Sequence, residues 1–311
     1  MRVLRAPAES HRCSLGTSAT SERSSVTAVS SLVEQLGYGP DARLLIINCD
    51  DLGMCHSANE GVYRSLRSGM ATSATLMVPC PWAHEAATQY QGEDIGVHLT
   101  LNSEFEYYRW GPVTQAPSLL GGGGGFPRTV LDVWDHADLD EVHRELRAQI
   151  ERALEWGIDV THLDSHMGTL QLRPEFFDVY LNLAMEFDLP IRLSSIDTQE
   201  MVGFPFRDLA EQEGVMTVDT LVFYSGVSAR EPFEEVLADL PLGVTEIYMH
   251  PAADHAELRA CAPDAAGRVD DLALLTEDQA IRDKVSQSGA VLVGWRELRD
   301  LQRSSATPRT A

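Results

Sequence analysis

The feature that most constrains the fold of this chain is a repeated alternation between short apolar runs and longer segments of helical periodicity. The run Arg43–Asn48 (RLLIIN) has a continuously apolar centre, as a parallel strand covered on both faces requires. Seven or eight such β-α units predict an α/β fold whose mostly parallel strands form a distorted, TIM-barrel-like (β/α) barrel, with a doubly wound open sheet as the alternative. The other predicted strands are Ala74–Val78, Ile95–Leu101, Asp159–Leu163, Pro190–Leu193, Val218–Phe223, Thr245–Met249 and Ala290–Val293.

The clearest predicted helix is Leu139–Trp156, in which apolar residues recur every three or four positions and form a single stripe. Asp138 and Glu141 stand three positions apart at its start and predict a capping-box-like arrangement. Gly157 suits the position just after a helix, where a left-handed backbone is common. The helix lies between two predicted strands, as the alternating pattern requires.

The two ends of the chain are expected to lie outside its folded domain. The first 30 residues are rich in Ser, Thr and Ala and poor in large apolar side chains. We therefore expect residues 1–30 to be a disordered leader, or the product of a start codon assigned too early. Residues 31–303 are predicted to form a single domain and residues 304–311 a flexible tail. No apolar h-region follows the N-terminal arginines, so a secretory signal is not predicted.

The chain carries 24 Lys and Arg against 47 Asp and Glu, a formal net charge of −23. Without a basic stripe, this charge repels nucleic acids and anionic membrane surfaces, so a neutral substrate is expected. No apolar run approaches the roughly 18 residues of a membrane span. The five cysteines form no C-x-x-C motif, which favours a reducing cytoplasm over a disulfide-bonded fold. The sequence is compatible with a monomer and with a homodimer, because dimers are common among such folds.

Acidic and imidazole side chains fall at or near the carboxyl ends of four predicted strands. In a parallel α/β fold these ends meet on one face, and that face carries the active site. Taken singly, an Asp after a strand is often a helix N-cap, a His in a strand is often structural, and an H-x-D-x-H cluster can brace a loop. Their joint placement at one rim favours a shared chemical role. The residues are Asp50, Asp51, His98, His162, Asp164, His166 and His250.

Two imidazoles and one carboxylate are a common ligand set for a divalent metal with open positions for water. A metal lowers the pKa of its bound water from about 15.7 towards about 7, so a nearby carboxylate suffices as the base. Adjacent Asp50 and Asp51 can divide these roles, and His250 can protonate a leaving amine. The set predicts metal-assisted hydrolysis of an amide or ester. No G-x-S-x-G or strand-following G-x-G-x-x-G motif supports a serine nucleophile or a dinucleotide cofactor.

Several short motifs follow one another along the chain and together have a recognisable order. They are LLIINCDDLGM at 44–54, NEG at 59–61, TSATLMV at 72–78, GVHLTL at 96–101, THLDSH at 161–166 and EIYMHP at 246–251. In combination they resemble the YdjC-like carbohydrate deacetylases, which include chito-oligosaccharide deacetylases. The resemblance covers nearly the whole chain after the leader. It implies a distorted (β/α) barrel that removes N-acetyl groups from an amino sugar or oligosaccharide.

The resemblance also implies roles for individual residues. By motif position, Asp51, His98 and His166 would bind the metal, most often described as magnesium, with zinc or another transition metal as the alternative. Asp50 would be the base that takes the proton from a metal-bound water as it attacks the acetyl carbonyl. His250 would be the acid, or a group that stabilises the oxyanion. The neighbours assigned to orienting a ligand or contacting the substrate are Asp164, His162 and Arg192.

Two segments depart from the family pattern. Met167–Leu170 stand where many members continue with further histidines, and Gly121–Gly125 stand where members carry polar and aromatic residues. The glycine run matches no phosphate-binding pattern, so we expect a flexible insertion, with a mobile lid over the site as the alternative. Both departures leave the identity of the sugar open. The departures also leave two alternative functions open: a non-catalytic sugar-binding protein, and a metal-dependent hydrolase of another bond, such as a phosphoester.

Overall fold

The structure is a computed structural model that describes residues 31–223 and 228–305. The predicted leader at 1–30 lies outside the described residues. Residues 304 and 305, the first two of the predicted tail, belong to the last helix, and the rest of that tail lies outside the described residues. Within the described ranges, no helix combines the length and apolar character needed to cross a membrane.

The strands of the described chain form one sheet, and every pairing in it is parallel. The order is β4-β3-β2-β1-β6-β5, and the short β7 pairs with the first three residues of β1. The sheet curls into a half-barrel, so the predicted α/β fold with a distorted barrel of parallel strands is confirmed. The seven strands are β1 Arg43–Leu52, β2 Ser73–Leu76, β3 Ile95–Leu99, β4 Val160–Ser165, β5 Thr220–Val222, β6 Gly243–Met249 and β7 Ala290–Leu292.

The strand predicted at Pro190–Leu193 is wrong. The structure has a single β-bridge there, between Leu163 of β4 and Ile191. Pro190 has no N–H with which to extend a ladder. The N–H of Ile191 donates to the carbonyl of Met216 (3.0 Å), so the segment still links β4 to the residues just before β5. This link draws the two edges of the sheet towards each other.

Helices cover the outside of the curled sheet, with α2 against β1 and α5 against β3 and β4. This arrangement buries the strands on both faces, which explains their nearly continuous apolar sequences. The helices are α1 Leu32–Gln35, α2 His56–Ser68, α3 Ala83–Gln89, α4 Val130–His136, α5 Leu139–Glu155, α6 Pro174–Phe187, α7 Ile196–Val202, α8 Phe206–Gln212, α9 Arg230–Ala238, α10 Ala256–Cys261, α11 Ala265–Thr276, α12 Gln279–Gln287 and α13 Trp295–Ser305.

Helix α5 ends one residue before its predicted boundary. The Asp138 side chain caps it by accepting from the N–H groups of Asp140 and Glu141 (3.0 and 3.1 Å). The Glu141 carboxylate accepts instead from the N–H and hydroxyl of Ser118 (2.8 and 2.7 Å), so the reciprocal half of the predicted capping box is wrong. Gly157 adopts a φ of +86° after the helix, as predicted, because glycine tolerates the left-handed region.

Alternate residues of β1 pack in two different environments. Leu44 and Ile46 belong to a small apolar cluster inside the curl of the sheet, whereas Leu45 and Ile47 belong to the main core under the helices. All four side chains are fully buried, and each burial contributes about 1.5–3 kcal/mol. The period of two sends Asp50 into the same inward row as Leu44 and Ile46, nearer the carboxyl end of the strand.

Candidate active site

Asp50 and Asp51 stand next to each other at the end of β1, yet both line one cavity. Neighbouring residues of a regular strand point to opposite faces of the sheet. Asp51 has a φ of +65°, and the register between β1 and β2 shifts between Cys49 and Leu52. This irregularity turns Asp51 back towards the side that Asp50 faces. Such a backbone costs about 1–3 kcal/mol in a residue other than glycine, and such costs concentrate at functional sites.

Asp51, His98 and His166 form a compact buried group. His98 Nε2 lies 3.2 Å from His166 Nδ1. Asp51 Oδ1 lies 3.5 Å from His98 Nε2 and 3.6 Å from His166 Nδ1. The three side chains come from β1, β3 and the short 3₁₀ turn after β4, whose carboxyl ends meet at this point of the sheet. The structure thus brings together the three residues predicted to bind a metal.

Two carboxylates fix the orientation of these imidazoles. Asp164 Oδ1 lies 2.5 Å from His98 Nδ1, and Glu104 Oε2 lies 2.9 Å from His166 Nε2. Each carboxylate can accept the N–H on the far side of the ring, which leaves the other ring nitrogen turned towards Asp51. Burial disfavours the charged form of His98, but the neighbouring carboxylates, Asp164 above all, outweigh it and raise the pKa of His98 to about 9.

A divalent cation fits among the three inward-facing atoms. Metal–ligand bonds of about 2.0–2.2 Å place neighbouring ligand atoms roughly 3.0–3.5 Å apart, close to the observed spacing. Asp51 Oδ1 is buried and has no hydrogen-bond partner among the described residues, a costly state that a cation would relieve. Burial would raise the pKa of Asp51, but Arg268, whose Nη1 lies 2.7 Å from Oδ2, and the nearby histidines lower it. The carboxylate is therefore ionised and available as a ligand.

Arg192 connects the carboxylates beneath the site. Its guanidinium forms two hydrogen bonds to Asp50 and lies 2.7 Å from Asp164 Oδ2 and 2.8 Å from Glu246 Oε1. Asn48 Nδ2 adds a third hydrogen bond to Asp50 (2.8 Å). Burial opposes ionisation of Asp50, but Arg192 and the nearby histidines prevail and lower its pKa below the ordinary value. Asp50 is therefore a fixed, ionised carboxylate facing the cavity.

His250 follows the last residue of β6 and lines the same cavity, so the structure places it at the rim as the sequence predicts. Its backbone N–H donates to Asp271 Oδ2 (3.0 Å), which anchors the end of the strand. The cavity has a volume of about 540 Å³. Besides the charged groups, it is lined by large apolar and aromatic side chains: Trp134, Met167, Leu172, Leu221, Phe223 and Tyr248.

His162 is not brought into the cavity. It is fully buried and its ring stacks on Trp295, with centroids 4.7 Å apart and an interplanar angle of 9°. Burial and the positive charge of Arg192 hold the pKa of His162 well below its ordinary value, so the ring is neutral. His162 and Asp164 share the inward face of β4, but His162 lies one layer deeper. Its position supports packing beneath the site instead of contact with a substrate.

Glu104 and Arg268 are neighbours of the site that the motifs do not reveal. Glu104 lies in the loop five residues after β3. An acidic residue so close to the end of a strand is a sequence feature that predicts a neighbour of the site. Arg268 belongs to α11 and pairs with Asp51 across 217 positions of sequence, so no local sequence motif predicts the contact. Both fix the predicted metal ligands from outside.

The fold and the site define a class: a parallel α/β half-barrel protein with a two-histidine, one-carboxylate group at the carboxyl ends of its strands. Comparison with known proteins identifies the family. The family model described as YdjC-like protein matches residues 44–285. The chain therefore belongs to the YdjC-like family, and the resemblance seen in its motifs is confirmed.

Individual relatives cover most of the chain. A carbohydrate deacetylase of Thermus thermophilus is 37% identical over 259 residues, which span 81% of this chain and 92% of that protein. A carbohydrate deacetylase of Geobacillus stearothermophilus is 30% identical over 261 residues, which span 82% and 98%. A crystal structure from Enterococcus faecalis V583, provisionally named as a cellobiose-phosphate cleavage protein, is similar with a TM-score of 0.73 and 27% identity over 83% of this chain and 99% of that one.

Proposed function

We propose that this protein is a divalent-metal-dependent hydrolase that removes the acetyl group from an N-acetylated amino sugar or oligosaccharide. The observation that carries the proposal is the buried Asp51 Oδ1, which faces His98 Nε2 and His166 Nδ1 and has no hydrogen-bond partner among the described residues. The names of the relatives from Thermus thermophilus and Geobacillus stearothermophilus supply the reaction and the substrate class.

The donor set bears on which metal is used. Two imidazole nitrogens and one carboxylate oxygen suit Zn²⁺ or another transition metal better than Mg²⁺, which prefers oxygen ligands. We therefore favour the transition-metal alternative over magnesium for the group formed by Asp51, His98 and His166. When bound there, the ion would supply Lewis acidity to a water molecule or to the acetyl oxygen.

Asp50 is the proposed base. Its carboxylate is held by Arg192 and faces the cavity beside the three candidate ligands, where it can accept the proton that the attacking water loses. Because Arg192 lowers the pKa of Asp50, the carboxylate stays ionised over the whole neutral range. The same pairing makes it a weak base, so it suits a water molecule that has already been acidified.

His250 is the proposed acid. It lies on the rim formed by the end of β6, whereas Asp50 lies at the end of the neighbouring β1. An imidazole in that position can donate a proton to the leaving amine while Asp50 holds the proton taken from water. Trp134, Tyr248 and Phe223 give the cavity flat apolar surfaces, which suit the faces of a sugar ring.

The test is acetate release from N-acetylglucosamine, chitobiose and chitotriose. The metal-free protein should be inactive and should regain activity when Zn²⁺, Co²⁺, Mn²⁺ or Mg²⁺ is added. His84→Gln is a matched control, because His84 is exposed and belongs to no group of potential metal ligands among the described residues. Full activity in the presence of a chelator would exclude the metal mechanism. Sugar binding without turnover of any substrate, unaffected by Asp50→Asn, would favour a non-catalytic binding protein instead.

A further inference from the structure

A second cluster of metal-ligating side chains lies outside the cavity. His56 and Glu60 are one turn apart on α2, so their side chains share a face of the helix. His255 immediately precedes α10, and its Nε2 lies 2.8 Å from Glu60 Oε2. One ligand atom from each of the three residues lies within 4.8 Å of the other two. The cluster therefore joins the first turn of α2 to the loop after β6.

Backbone packing holds these two segments together. The N–H of Ala253 donates to the carbonyl of Ser57 (2.9 Å), which ties the loop to the start of α2. Gly61 permits the close approach, because a Cβ on it would come within 2.5 Å of the Cα of Ala252. The positions that carry the three ligating side chains are thus fixed by contacts in which those side chains take no part. Such preorganisation lowers the entropy lost on binding an ion.

Ordinary ion pairing accounts for part of the cluster. Glu60 pairs with His255 and also lies 3.6 Å from Arg64 Nη1, and pairs of this kind at partly exposed positions contribute about 1 kcal/mol or less. It does not account for His56, whose ring lies 5.9 Å from that of His255 and packs edge-on against Trp82 (5.1 Å). A third potential ligand, the imidazole of His56, is therefore held next to an ion pair that does not require it.

We propose that His56, Glu60 and His255 bind a divalent transition metal of the zinc type, with water in the remaining positions. Two imidazole nitrogens and a carboxylate oxygen are the ligands that Zn²⁺, Co²⁺ and Ni²⁺ accept, whereas Mg²⁺ and Ca²⁺ prefer oxygen. The net charge of −23 draws cations to the surface, and the partial exposure of the cluster gives them direct access.

The position of this second site defines what the ion does. α2 begins five residues after Asp51, and His255 lies five residues after His250. An ion shared by the two segments fastens the β1 and β6 sides of the cavity rim to each other. The site is therefore structural. It is separate from the buried group, since Asp51, His98 and His166 form another cluster.

Zinc stoichiometry tests the proposal on the full chain without an affinity tag. The wild type should bind two zinc ions, measured by calorimetry and by elemental analysis after gel filtration. His255→Gln and His56→Gln should each bind one. His84→Gln is the matched control, since His84 is also an exposed histidine beside a tryptophan (5.2 Å from Trp156), and it should still bind two.

A second measurement isolates the surface site from the buried one. In the Asp51→Asn background, zinc should still raise the midpoint of thermal unfolding, and adding His255→Gln should abolish that rise. Equal zinc stoichiometry in the wild type, His255→Gln and His56→Gln would overturn the proposal. So would an Asp51→Asn protein that is folded and binds no zinc. None of these measurements depends on deacetylase activity, so they test the second metal site independently of the proposed reaction.

Discussion

Arg192 and Asp50 are joined by two parallel hydrogen bonds, from Nη1 to Oδ2 (2.8 Å) and from Nη2 to Oδ1 (2.9 Å). This fork-to-fork pairing sets the plane of the carboxylate as well as its charge. It keeps the proposed base ionised and fixes its orientation beside the cavity that it lines.

Arg192→Lys should therefore lower kcat/KM by about 10- to 100-fold, because a lysine keeps the charge and loses the fork. The acidic limb of the pH profile should also move to higher pH. Arg192 lowers the pKa of Asp50, so a weaker partner lets that pKa rise, and a higher pH is then needed to ionise the base. Kinetics from pH 4 to 9 would measure both effects.

Arg207→Lys is the control for that experiment. Arg207 is also largely enclosed and donates to the carbonyls of Ser194 and Val218, away from the carboxylates of the site. Its substitution should leave the acidic limb where it is. An unchanged limb in Arg192→Lys would mean that Asp50 does not set it.

The two adjacent aspartates should respond differently to the loss of charge. Asp51→Asn should lose metal affinity at the buried site, because it removes the charge of a candidate ligand whose Oδ1 faces both imidazoles. Asp50→Asn should keep the metal and lose turnover by about 10²-fold or more. Metal binding by calorimetry, run beside acetate release, separates the two. Equal loss of metal in both variants contradicts the division of roles.

Glu104→Gln should weaken metal binding at the buried site by about 10- to 100-fold, since it removes the carboxylate that orients His166. Glu106→Gln changes an exposed residue two positions further along the same loop, and this variant should bind the metal as the wild type does. Competition with a chelating dye would give both affinities. A Glu104→Gln protein with unaltered affinity would show that the hydrogen bond to His166 is dispensable.

His162→Phe should flatten the dependence of stability on pH. The pKa of His162 is held well below its ordinary value of 6.5, so its contribution to stability is complete above pH 6.5 and is lost as the pH falls towards the lowered pKa. That loss amounts to at most about 1.4 kcal/mol per pH unit. Phenylalanine keeps the stacking on Trp295 and has no proton to bind.

Urea unfolding of the metal-free protein at several pH values between 5 and 7.5 would measure this slope. His136→Gln is the control, because His136 is exposed and its substitution should leave the wild-type slope unchanged. A His162→Phe protein that loses stability with acid as steeply as the wild type would refute the neutral, buried assignment.

The strand positions and the parallel direction of the strands follow from the alternation of apolar runs with helical segments, because a strand buried on both faces must be apolar along its length. The same reasoning places Asp51, His98 and His166 at one rim, since the carboxyl ends of parallel strands meet there. The error at Pro190–Leu193 has a local cause: the run is apolar enough for a strand, but Pro190 cannot donate to a ladder.

Other parts of the site depend on depth and distance, which spacing does not encode. His162 and Asp164 have the same parity on β4, but His162 stacks on Trp295 whereas Asp164 contacts His98, so a shared face does not mean a shared role. Arg268 meets Asp51 through the fold of the whole chain. The N-cap of α5 also could not be predicted fully from spacing, because the carboxylate of Glu141 accepts a hydrogen bond from Ser118, a residue 23 positions away.

The left-handed backbone of Asp51 has a consequence for anyone who would transplant this centre into another barrel. On an unbroken strand, grafted Asp50 and Asp51 side chains would diverge, one entering the barrel and the other pointing into the surrounding helices. A faithful copy must include the kinked strand end and its altered pairing with β2, so the smallest transferable unit is a stretch of main chain and not a set of side chains.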